Sequence, residues 1–120
     1  MDDTDGFDPA AIERLRQMGG AKLAVEMLAI YLDYAPARLA DVREAAPRGD
    51  LLAVQKAAHA LKSTANHVGA RAVRDLARQL EALARAQSAE LIPDMVAELV
   101  TAMEQVRPRI ESALRELQAK

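Results

Sequence analysis

A chain of 120 residues with 16 Lys and Arg against 18 Asp and Glu carries a formal net charge of -2. The length suits one domain with a single core. The near-balanced charge excludes a broad nucleic-acid footprint, and the absence of cysteine excludes disulfides and thiol catalysis.

Apolar residues make up 51% of the chain, yet only Phe7, Tyr31 and Tyr34 are aromatic. The core must then be Ala, Leu, Val, Ile and Met, a set that favours helices over sheets. Residues 1–7 are acidic and lack the basic and apolar regions of a signal peptide. No apolar run reaches the roughly 18 residues of a membrane span; the most apolar stretch, 23–32, is interrupted by Glu26. These features predict an all-α cytoplasmic protein that engages neither membrane nor nucleic acid.

In chain order, residues 1–7 read as a flexible tail and 8–120 as one helical domain. Asp8-Pro9 predicts a helix start, with Asp8 as N-cap and Pro9 at the first helical position. Ile12, Leu15 and Met18 give a short apolar stripe, which Gly19-Gly20 ends or bends sharply. A longer helix follows from about Ala21, with Leu23, Met27, Leu28, Tyr31, Leu32, Ala35, Leu39 and Val42 at helical spacing. Pro36 predicts a kink or local break in it. Residues 47–50 form a turn, with Gly49 closing one helix and Asp50 capping the next.

The next helix spans about 51–67. Val54, Ala57 or Ala58, Leu61, Ala65 and Val68 face its core, and Gly69 is placed to end it. A further helix begins near Ala70 with Val73, Leu76, Ala77, Leu80, Leu83 and Ala84 inward. On that reading Arg71, Arg74, Asp75, Arg78, Gln79, Glu81 and Arg85 mostly point outward. Ser88 is a candidate cap for the last helix, Pro93 fits its first turn, and Pro108 predicts a bend in it. Methionines at helical spacing read as core. Short connections favour antiparallel neighbours, so the expected architecture is an antiparallel up-down four-helix bundle with a short additional N-terminal helix.

The chemistry concentrates on residues 58–70. At about 100° per residue, Gln55, His59, Lys62, Ser63 and Asn66 project near one face while Leu61 and Ala65 point into the core. Neutral imidazole is a nucleophile, and a lysine one turn away stabilises phosphoryl oxygens. Ala60 and Ser63 add little bulk, so a partner's active site can approach closely, and the Ser63 hydroxyl can donate to a phosphoryl oxygen. His67 lies off this face near the helix end. The two histidines are eight apart with no carboxylate cluster, which gives no metal site. There is no Gly-rich nucleotide loop. An alternative reading of the same residues is a helical adaptor module in which His59 is incidental.

The run Ala58-His59-Ala60-Leu61-Lys62-Ser63, followed by Gly69-Ala70, resembles the motif of the histidine-containing phosphotransfer (HPt) domain family. Three further segments are similar to the family's pattern: Asp33-Tyr34-Ala35-Pro36-Ala37-Arg38-Leu39, Arg48-Gly49-Asp50 and Leu76-Ala77-Arg78-Gln79-Leu80-Glu81. The resemblance covers nearly the whole chain. It implies that His59 is the phosphoacceptor, that Lys62 neutralises the phosphate and that Gly69 is structural. It also implies a phosphoryl carrier without kinase activity that binds no cofactor of its own. His59 would take the group from the phosphoaspartate of a response-regulator receiver domain, or of a hybrid sensor kinase, and pass it to another receiver aspartate. The receiver would bring the Mg²⁺. Some family members carry a glutamine near the histidine on the following helix; here Glu81 stands near that place, with Gln79 close by, and neither is assigned the role.

Overall fold

The structure is a computed structural model that describes residues 6–119. Among these residues there are four α-helices: α1 (Ala10–Ala45), α2 (Leu51–Val68), α3 (Arg71–Arg85) and α4 (Ile92–Gln118). Two short 3₁₀ turns, Ala46–Arg48 and Ala89–Leu91, connect them. Each helix packs on its sequence neighbour, and α4 returns against α1, closing an antiparallel up-down bundle of 46 × 25 × 18 Å. No helix among the described residues is long and apolar enough to cross a membrane.

Helix α1 is broken at the glycine pair. Gly19 and Gly20 leave helical dihedrals (φ -153° and 75°), which separates a short first arm, 10–18, from the long arm 21–45. Helical dihedrals then continue through Pro36, so the local break expected there does not occur. Pro36 is exposed while Tyr31, Ala35 and Val42 are buried. The backbone groups that proline disturbs therefore lie near solvent, and the packed opposite face holds the helix together. Helix α4 likewise continues through Pro108.

The start of the chain departs from the sequence reading. Residues 1–5 of the expected tail lie outside the described residues, but Gly6 and Phe7 are packed in place. Phe7, the only phenylalanine, is buried and pairs by an isolated antiparallel bridge with Ala70. The Arg109 guanidinium of α4 lies 4.8 Å from the centre of its ring. Burying a phenyl ring stabilises by about 1.5–3 kcal/mol, which offsets the ordering of about one or two residues of backbone beside it. Helix α1 begins one residue later than expected, with Pro9 before it rather than within it; the Asp8 carboxylate accepts from the Ala10 N–H at 3.1 Å. Met18 is 77% exposed instead of contributing to a core stripe, because the helix stops beside it at Gly19. Ser88 precedes the second 3₁₀ turn and makes no side-chain cap.

Helix α2 is held on two sides by α1 and α3. Val54, Ala57, Ala58, Leu61, Thr64, Ala65 and Val68 are buried. Leu52, Lys56, His59, Ser63 and Asn66, spaced three or four apart, form the exposed stripe opposite. Asp50 caps its start, accepting from the Ala53 N–H at 3.1 Å. Gly69 ends it in the left-handed conformation at φ 81°. This glycine has a second task. Its carbonyl accepts from the Asp8 N–H at 2.8 Å, and a Cβ here would collide with the Asp8 carbonyl and the Ala11 side chain. Gly49 has the same dihedral sign (φ 71°) but open space around it.

The two glycines separate strain from crowding. Gly49→Ala should cost about 1 kcal/mol, the left-handed penalty alone. Gly69→Ala should cost about 3 kcal/mol or more, because strain and collision combine. Urea denaturation of the two variants checks this; equal losses would mean that residues 8–11 do not press on Gly69.

Candidate functional site

The site sits where the exposed stripe of α2 meets the edge of α3. His59 lies mid-helix on α2, with buried Ala58 and Leu61 beside it, so its backbone is fixed while its side chain is 61% exposed. Lys62 follows one turn later on the same helix. Between these side chains and the core lies Glu81 of α3, whose residue exposure is only 5%. The sequence pattern places Glu81 on the mostly outward set; the fold buries it. Ala77 and Ala84 are both buried, and position 81 shares their face of the helix.

Glu81 is buried because it is paired. Its Oε1 accepts from Lys62 Nζ at 2.9 Å. Its Oε2 lies 2.9 Å from His59 Nδ1 and 3.1 Å from Arg85 Nη2. Burial by itself would raise the Glu81 pKa; hydrogen bonds from Lys62 and His59, with their charges, outweigh it and hold the carboxyl below its ordinary value. Glu81 is therefore an acceptor at neutral pH. Beside an ionised carboxylate a neutral imidazole keeps its proton on Nδ1 and donates it, which leaves the lone pair on Nε2. That nitrogen is the far edge of an exposed ring.

The remaining residues of the expected face divide. Ser63 is exposed on the His59 stripe, and Gln55 is half-buried on the turn before His59. Asn66 is exposed, but its Oδ1 accepts from Arg74 Nη1 of α3 at 3.4 Å, a long bond that turns it toward α3. His67, in the last turn of α2, shares an open cleft of about 280 Å³ with Asn66, Met18, Leu23 and Met27, away from His59. Among the described residues no group of three or more His, Cys, Asp or Glu side chains could hold a metal ion.

Glu81 is the member of this cluster that the sequence pattern leaves unassigned. A signal for it was present: it follows Ala77 by four and precedes Ala84 by three, which puts a carboxylate on an apolar stripe. Its partners were not legible, since His59 and Lys62 are 22 and 19 residues away.

The family model described as Hpt domain matches residues 26–109. The chain is similar in structure to histidine-containing phosphotransfer protein B (HptB) from Pseudomonas aeruginosa PAO1. The TM-score is 0.87 at 18% identity, over 94% of this chain and 97% of that one. No curated protein matches the sequence.

Because the folded state holds Glu81 below its ordinary value, the carboxylate contributes stability that is complete above about pH 4.5, the ordinary value. That contribution is lost as the pH falls through the lowered folded value. Glu81→Gln should therefore be less stable than the wild type by about 1–3 kcal/mol at pH 7. The gap should close as the pH drops below that range, which paired urea titrations at pH 7 and in acid will measure.

Proposed function

The chain belongs to the Hpt domain family, and from that premise we propose that it is a histidine phosphotransfer protein of a phosphorelay with His59 as its phosphoacceptor. The observation that carries the reading is the pairing of His59 Nδ1 with a buried carboxylate at 2.9 Å. It directs a lone pair outward from a rigid helix. In the transfer, Nε2 attacks the phosphorus of a receiver's phosphoaspartate and an N–P bond forms. The P–O bond to the aspartate breaks, and its electron pair leaves with the carboxylate. The Nδ1 proton stays on the ring, held by Glu81, so the charge that develops on the imidazole meets an anion already in place. The reverse sequence passes the group to another receiver aspartate.

Lys62 lies within one turn of the ring and supplies positive charge to the phosphoryl oxygens. Glu81 acts through His59 as a positioning residue. The donor is a response-regulator receiver or the receiver of a hybrid sensor kinase, and that partner brings the Mg²⁺ that offsets charge during transfer. The chain itself acts as a carrier and not a kinase, in the cytoplasm. The exposed stripe Leu52, Lys56, His59 and Ser63 is the surface on which the receiver docks. It has small residues beside the ring and an exposed leucine at its edge, so the partner's active site can close over Nε2.

Incubation with an aspartate-phosphorylated receiver and Mg²⁺ should place acid-labile, base-stable phosphate on this chain. His59→Ala should abolish it, and phosphate persisting on that variant would sink the assignment. Lys62→Ala should leave the bundle folded by circular dichroism, because Arg85 remains on Glu81, while slowing transfer by at least about tenfold. An unchanged rate would remove Lys62 from the chemistry.

A further inference from the structure

We propose that Arg85 frees Lys62 to meet the phosphoryl group, by remaining on Glu81 as the carboxylate's cation when Lys62 leaves it. This rests on the reading of His59 as phosphoacceptor. In the resting structure Lys62 Nζ is bound to Glu81 Oε1 at 2.9 Å. A phosphoryl group on Nε2 brings new negative charge within one helical turn, and the same ammonium must then serve two anions. Were Lys62 the only cation on Glu81, moving it outward would strand a buried negative charge, which is strongly unfavourable.

Arg85 removes that obstacle. It occupies the opposite oxygen, Oε2, at 3.1 Å, from the next turn of α3. The two cations thus approach Glu81 on different atoms and from different helices, so one can depart without disturbing the other. The arginine side chain is 63% exposed, and its planar fork suits a carboxylate oxygen. Glu81 remains ionised throughout and goes on accepting from His59 Nδ1. Lys62 is the mobile charge and Arg85 the resident one.

A double-mutant cycle on the full chain tests the arrangement without any partner. Lys62→Met and Arg85→Gln each leave Glu81 one lysine or arginine partner; together they leave it only His59. The double variant should lose about tenfold more in folding equilibrium constant than the two single losses combined, by urea denaturation. Strict additivity would overturn the inference.

Transfer kinetics give the second readout. Arg85→Gln, folded, should exchange phosphoryl groups with a phosphorylated receiver roughly 3–10-fold more slowly than wild type. Arg85→Lys should restore most of the rate, and Arg85→Gln should add no further slowing in the Lys62→Met background. A wild-type rate for Arg85→Gln, or equal slowing with and without Lys62, would overturn the hand-over alone. A wild-type chain that acquires no phosphate would overturn it together with the phosphoacceptor reading.

Discussion

A carboxylate under the surface of a helical bundle is the constraint around which this molecule is arranged. Glu81 is nearly as buried as the alanines that flank it on α3, and an isolated buried anion is too costly to survive. The fold answers with donors from two helices: Lys62 and His59 from α2, and Arg85 from α3 itself. Satisfying the charge brings His59, Lys62 and Arg85 to one point. An imidazole is oriented, a lysine is held ready, and neither depends on a loop.

That arrangement requires α2 and α3 to keep their register. Between them lies a connection of two residues, Gly69 and Ala70, both buried. Gly69 turns the chain in the left-handed conformation and also receives the backbone of Asp8. The bridge from Phe7 to Ala70 and the bond from the Ala72 N–H to the Gly6 carbonyl, at 3.1 Å, extend this clasp over the start of α3. The beginning of the chain thus braces the corner that sets the distance from His59 to Glu81. Positional precision of this kind favours transfer chemistry, which gains from orientation more than from flexibility.

Much of the bundle was legible in local terms. The glycine pair at 19–20, the turn at 47–50, the Asp50 cap and the Gly69 stop are written in residues whose conformational preferences act over a few positions. The outward direction of His59 follows from the same logic, because Val54, Leu61, Ala65 and Val68 must face the core. Where local readings and the fold part, the reason is non-local. Pro36 predicts a kink or a local break; the break does not occur, because packing along Tyr31, Ala35 and Val42 carries α1 past it. Phe7 reads as tail because nothing near it in sequence offers a partner; its neighbours are Ala70 and Arg109.

An all-α bundle, its punctuation and a histidine facing out beside a lysine are all readable from residue order, since each depends on the period of a helix and on capping chemistry. It took the packing of α2 on α3 to turn Glu81 inward and to join it to His59, Lys62 and Arg85. The reason is separation along the chain. Whether a charged side chain on the edge of an apolar stripe faces water or core depends on the cations that another helix delivers, and those lie 19 and 22 residues away, beyond the reach of any local pattern.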